Sequence, residues 1–192
     1  MMSYPNYTTC LNLLTAEGVN TNVFNHVRAV HQFAVTIGNK FIEQGYKINM
    51  PLIEAGALLH DIGRSKTQGL KHALAGCEIA KRIGLPDDLI SIIRNHIGAG
   101  ITKEEALYIG LPGEDYIPVT LEEKIVAAAD NLAAGERLQT IRQHEENLLK
   151  KGISEGAKRC VALHRELSEM CGIDLDELLA GNKKITGQDK DT

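Results

Sequence analysis

The chain of 192 residues has no tryptophan, three phenylalanines and five prolines. So few aromatics, with little alternation of apolar and polar residues, leave little from which to build strands. No apolar stretch is long enough to span a bilayer, and the opening MMSYPNYTTC lacks a basic region followed by an apolar one. A soluble cytoplasmic protein with no membrane partner is expected. The four cysteines, Cys10, Cys77, Cys160 and Cys171, form neither a C-x-x-C pair nor a secreted-type framework. Reduced thiols are therefore expected, and no chemistry is assigned to them. Twenty-one Lys and Arg stand against 25 Asp and Glu, a formal charge of −4, without a dense basic block. That balance argues against an extended nucleic acid as partner.

What is present is a spacing of three and four between apolar residues in segment after segment, which reads as all-α. A length of 192 residues suits a single core. We expect one domain over residues 1–181, with a core at about 22–137, outer helices at about 138–180 and a mobile polar tail at 182–192. Helices are predicted near Thr9 to Ala16, Asn22 to Gln44, Pro51 to Ile62 and Leu70 to Ile83, and from Pro86 onward. Capping boxes are expected at Thr102 with Glu105 and at Thr120 with Glu123, the latter opening a helix to about Ala134. The helices near Leu138 to Lys150 and Glu155 to Met170 are more polar. They either pack on the outside with a solvated face or form the contact of a homodimer.

Polar residues on apolar stripes are informative, because burying one without a partner costs about 1–3 kcal/mol. His26 lies in line with Val23, Val30, Ala34, Ile37 and Phe41. His60 follows Leu52, Gly56 and Leu59 on one face, with Asp61 beside it at the helix end. His72 leads a stripe through Gly76, Ile79, Ala80 and Ile83, and His96 ends one through Leu89, Ile92 and Ile93. Asp130 falls four after Val126 in the alanine-rich segment. Taken singly, each histidine reads as a core residue bonded to a carbonyl, and each aspartate as a cap or half of an ion pair. Together, four histidines and two aspartates on five helices are satisfied most simply by convergence on metal. His31 sits one step off its stripe, and His144 and His164 read as surface residues.

These residues, in this order, resemble the HD superfamily of metal-dependent phosphohydrolases: His26, then the pair His60–Asp61 in LLHDIGRSKT, then Asp130. The resemblance covers about Asn22 to Arg137 and implies an all-α HD-domain helical bundle in which these four residues hold one divalent ion. His72 and His96 stand where the two-metal branches place ligands for a second ion, with Asp61 bridging. Fe, Mn, Co or Ni suits such ligands better than Zn or Mg. KHALAGCEIAKRIGLPDDLISIIRNHIGAG and TLEEKIVAAADNLAAGER are similar to the bacterial hydrolases that split diadenosine tetraphosphate symmetrically. The stretch GAGITKEEALYIGLPGEDYIP is longer than those enzymes carry and resembles an uncharacterised archaeal branch. The cyclic-dinucleotide phosphodiesterase branch has two adjacent histidines where this chain has Asn95–His96, and a later Gly-Tyr-Pro that this chain lacks, so membership of that branch is not expected.

The resemblance implies a small phosphorylated substrate, most simply a nucleotide, cleaved at a phosphoester or phosphoanhydride by metal-activated water. Asp61 is then catalytic as well as a ligand, and Arg64 and Lys66 in GRSK are candidates to hold phosphate oxygens, although the helix dipole alone also favours basic residues there. Arg94 points to a different side from His96, and Arg137 meets either substrate or solvent. Gly98, Gly100, Gly110 and Gly113 suit a mobile cover or a plain surface excursion. No residue stands out as proton donor to the leaving oxygen. Two rival readings remain on the same ligand set: a di-iron oxygenase and a non-catalytic nucleotide sensor.

Overall fold

The computed structural model describes residues 4–186. It is all-α apart from one small hairpin, with helices α1 (Tyr7–Ala16), α2 (Thr21–Glu43), α3 (Met50–Leu59), α4 (His72–Arg82) and α5 (Asp87–Asn95) leading the chain. After them come α6 (Lys103–Tyr108), α7 (Leu121–Asn131), α8 (Ile141–Lys150), α9 (Ser154–Cys171) and α10 (Leu175–Thr186). No helix among the described residues is long and apolar enough to cross a membrane.

Short side chains start the helices where the sequence places them. Asn20 accepts from the Val23 amide at 3.1 Å and opens α2, and Thr102 with Glu105 forms the expected reciprocal box on α6. At α7 only half of the expected box exists. Thr120 accepts from the Glu123 amide, but Glu123 Oε2 takes the Val119 amide at 2.9 Å and the Asn95 side chain at 3.1 Å instead of closing on Thr120. Glu123 thus ties the end of α5 to the start of α7.

Helix α2 is the centre of the bundle, packed against α3, α7, α9 and α10. Val27, Val30, Ala34, Ile37 and Phe41 of its inner stripe are buried with Ile53, Leu58 and Leu59 of α3 and Ile125, Val126 and Ala129 of α7. The third helix stops earlier than its apolar stripe suggests: α3 ends at Leu59, and a 3-10 turn covers Ile62–Ser65. After α7 the chain does not continue as helix to Ala134. It forms a hairpin of β1 (Ala133–Ala134) and β2 (Arg137–Leu138), reversing at Gly135 with φ +64°.

The segment between α5 and α7 is clamped rather than loose. Ile101, Ala106, Leu111 and Tyr116 make a small core of their own, and the Ile101 and Tyr116 backbones pair at 3.1 and 2.9 Å. Arg94 stacks over the Tyr116 ring at 4.5 Å and pairs with Glu114, while Arg159 of α9 donates to the Gly100 carbonyl at 3.1 Å and to Glu105 at 2.6 Å. Two histidines read as surface residues are not: His164 is buried, 3.3 Å from Asp176, and His144 is half-buried. Helix α10 carries the backbone to Thr186, past the expected domain end at residue 181, and residues 187–192 of the expected tail at 182–192 lie outside the described residues.

Candidate metal centre

Five α-helices and the 3-10 turn after α3 deliver six polar side chains to one place. His26 comes from the first half of α2, His60 caps α3, Asp61 precedes the 3-10 turn, His72 opens α4, His96 caps α5 and Asp130 lies in the last turn of α7. Gly63 makes the assembly possible, because a Cβ there would lie 1.9 Å from the His72 carbonyl oxygen and 2.4 Å from the Gly76 nitrogen. The turn after Asp61 therefore lies directly on the start of α4.

Each of the four histidines turns Nδ1 to a backbone carbonyl: His26 to Gly135 at 2.9 Å, His60 to Ala57, His72 to Gly69 and His96 to Ile93, each at 2.8 Å. A carbonyl only accepts, so Nδ1 carries the proton and Nε2 is the atom turned inward. His26 Nε2 lies 2.9 Å from Asp130 Oδ1, and His60 Nε2 lies 3.6 Å from the same oxygen and 3.7 Å from Asp61 Oδ2. His72 Nε2 is 3.0 Å from Asp61 Oδ1 and 3.0 Å from His96 Nε2, an approach of two imidazole nitrogens that needs a shared proton or a shared cation. His60 Nε2 and Asp61 Oδ1 are buried without a hydrogen-bond partner.

Two groups that could hold a metal ion result, His26 with His60 and Asp130, and His60 with Asp61 and His96, the donor atoms within each lying within 4.8 Å of one another. Burial works against the charge on both aspartates, yet the histidines around them hold both carboxyls far below the usual range. Burial also opposes a charged His26, but the hydrogen bond and charge of Asp130 outweigh it and raise His26 to about 9. Burial keeps His96 below its ordinary value.

Beside this cluster opens a cavity of about 580 Å³. His72, His96, Asp130 and Arg64 line its polar end, and Leu70, Ile97, Ile101, Ile109, Leu148 and Ile153 give it apolar walls. The segment at 98–119 and the outer helices α8 and α9 supply much of that wall.

The structure brings all six expected ligand residues together. Arg64 lies beside them, its Nε donating to Asp61 Oδ2 at 2.6 Å and an Nη to the Gln68 carbonyl at 3.2 Å. Lys66 does not reach the cluster: it turns to Glu17, 3.5 Å away, which Arg82 also holds. The 3-10 geometry sends successive side chains to different sides, so Arg64 and Lys66 separate. Arg94 serves the 98–119 segment, and His31 stacks edge-on against Tyr7 at 5.1 Å. Asn95, at the place of the first of two adjacent histidines in the cyclic-dinucleotide branch, bonds Glu123. Sequence reasoning missed His144, whose surroundings on a mostly polar helix carry no local signal of the pocket it lines.

The HD domain family profile matches residues 23–135. A tRNA (cytidine(56)-2'-O)-methyltransferase of Thermoplasma volcanium is 44% identical over 174 residues, covering 91% of this chain and 50% of that protein. The chain thus spans about half the length of that relative. Ribonuclease Y of Thermotoga maritima is 34% identical over 134 residues, covering 67% of this chain and 22% of the enzyme. Among solved structures, the HD domain of the Listeria monocytogenes phosphodiesterase PgpH in complex with cyclic-di-AMP superposes with a TM-score of 0.61 at 19% identity, covering 95% of this chain and 99% of that one. That level of identity speaks for the fold, and the profile match extends over more than half of the sequence, from the helix of His26 to the turn beyond Asp130. The chain belongs to the HD domain family.

Proposed function

We propose that this chain is a metal-dependent phosphohydrolase that cleaves a phosphoester or phosphoanhydride of a nucleotide or dinucleoside polyphosphate. The observation that carries the reading is the pair of orphaned buried atoms, His60 Nε2 and Asp61 Oδ1, at the meeting point of imidazoles whose Nδ1 atoms are already engaged by the backbone. A cation would complete such a donor set, and its mixture of imidazole and carboxylate fits Fe, Mn, Co or Ni better than Zn or Mg. His26, His60, Asp61 and Asp130 would hold one ion and Asp61, His72 and His96 a second. When bound, such ions make water nucleophilic near neutral pH and polarise a phosphoryl oxygen.

The chain's own residues supply the rest. The backbone carbonyls fix the four rings, so no reorientation is needed on loading. Arg64, held on Asp61 and Gln68 and lining the cavity, offers its remaining N–H groups to phosphate oxygens. The apolar walls take the base or sugar and keep bulk water from the polar end.

The test is a panel of mono- and dinucleotides, including diadenosine tetraphosphate and cyclic-di-AMP, offered with each metal under aerobic and anaerobic conditions and read by chromatography. Release of phosphate or nucleotide that a chelator abolishes is expected. Two diphosphates from the tetraphosphate would identify symmetrical cleavage, and mononucleotide release would keep the class and change the substrate. No release, with O₂ consumption and a mixed-valence iron signal, would replace hydrolysis by oxygenation, whereas nucleotide binding without turnover would make the chain a sensor. A second reading, a phosphate ester on RNA, is favoured by the names of the Thermoplasma and Thermotoga relatives. An RNA oligonucleotide with phosphorylated ends belongs in the panel for that reason.

A further inference from the structure

Gln139 stands just before α8, next to its N-cap Thr140. Its side-chain nitrogen is 2.8 Å from the Asn131 carbonyl oxygen and 3.3 Å from His144 Nδ1. Because a carbonyl oxygen only accepts, the Gln139 atom facing it is the NH₂ group, and the second hydrogen of that group faces the imidazole. His144 Nδ1 is therefore an acceptor, and the proton of the neutral ring sits on Nε2. That Nε2 is buried and has no hydrogen-bond partner, and the ring lies in the wall of the cavity that His72, His96 and Asp130 also line.

The contrast with the ligand histidines is chemical. His26, His60, His72 and His96 all give Nδ1–H to a carbonyl and turn Nε2 inward as a ligand atom. His144 has the opposite assignment: its Nδ1 is occupied by a donor, so what it has left to offer is an N–H. We propose that His144 is a substrate-contacting residue of this pocket, a neutral imidazole whose Nε2–H donates to a phosphate oxygen of the substrate. This rests on the reading of the site as a phosphohydrolase. The ring is held in that form twice over: burial lowers its basicity, and protonation at Nδ1 would set an N–H against the Gln139 NH₂. His144 thus orients and stabilises phosphate as a fixed donor and delivers no proton to the leaving group.

The experiment uses the full chain, ¹⁵N-labelled and loaded with diamagnetic zinc, with inorganic phosphate as the probe. Long-range ¹H–¹⁵N spectra, assigned by comparison with His144→Gln, are expected to show His144 protonated at Nε2 and unprotonated at Nδ1 at pH 7, with the Nε2 resonance shifting as phosphate is added. An Nδ1–H tautomer, an imidazolium, or a ring that ignores saturating phosphate would overturn the proposal. In parallel, His144→Ala is expected to lower kcat/KM for bis(p-nitrophenyl) phosphate with manganese by at least about tenfold, with metal content and melting temperature unchanged. Activity within twofold of wild type would overturn it. If wild type turns over no phosphate ester, the hydrolase reading fails, and the tautomer and phosphate response decide the role of His144 independently.

Discussion

Asp61 lies between the two halves of the cluster, with Oδ2 held by Arg64 at 2.6 Å and Oδ1 left open toward His72 and His96. His60 faces both carboxylates, so His60→Ala removes an atom common to both ligand groups. Loss of more than about 100-fold in metal affinity is expected, since even residues behind the ligands cost 10–100-fold when mutated. Equal metal content in wild type and His60→Ala protein, read by elemental analysis, would remove His60 from the ligand set. Arg64→Ala should keep its metal and raise KM by about tenfold, the loss expected of a charged hydrogen bond to phosphate. His26 supplies the pH dependence. Without metal its Nδ1 donates to Gly135 and its Nε2 to Asp130, so both ring nitrogens carry protons. Its pKa is raised from 6.5 to about 9, so the stability this pair contributes is fully present below pH 6.5 and lost as pH rises through about 9. A cation takes Nε2 only once that proton leaves. Metal affinity should therefore climb by up to about tenfold per pH unit from neutrality to about 9 and then level off. Calorimetry in buffers of different ionisation enthalpy should read about one proton released from His26 near neutral pH.

Among the elements, the turn Ile62–Ser65 matters most, because it joins the two halves of the centre. With His72 O only 1.9 Å from where a Cβ would stand, Gly63→Ala must push the turn off α4 and separate Asp61 from His72. We expect a cost at or above the 1–3 kcal/mol typical of overpacking, measured by urea unfolding, together with weakened binding of a second metal equivalent. The sequence showed that a glycine follows the His60–Asp61 pair but not why, since the clash comes from a residue nine positions later. Local codes were readable where the partner is local, as in the Asn20 cap and the Thr102–Glu105 box. They failed where a distant group competes: Glu123 abandons its cap for Asn95, which lies 28 residues earlier. The hairpin at Ala133–Leu138 was illegible for a different reason, as two-residue strands are too short to show alternation.

At the scale of the molecule, the clustering of the six polar side chains was legible because five separate apolar stripes each carried a misplaced polar residue, and burial on such stripes leaves few ways to satisfy them all. The outer helices were not legible in the same way. An amphipathic pattern says that α8 and α9 have an inner face without saying what that face meets, and it meets the cavity through His144, Leu148, Arg159 and Cys160. A centre drawing on α2, the end of α3, α4, α5 and α7 crosses almost the whole bundle, so metal binding and folding must be linked. An ion that binds the native chain alone adds about 2.7 kcal/mol at a hundred times its dissociation constant. For a chain of this size that corresponds to a rise in Tm of about 5–10 °C. Manganese titrated into chelator-stripped protein should produce such a rise by scanning calorimetry, and the same titration of His60→Ala should produce little or none. A rise of equal size in both proteins would place the bound ion somewhere other than these six side chains. A flat response in both would mean that the cluster, however well its rings are anchored, is satisfied by protons alone.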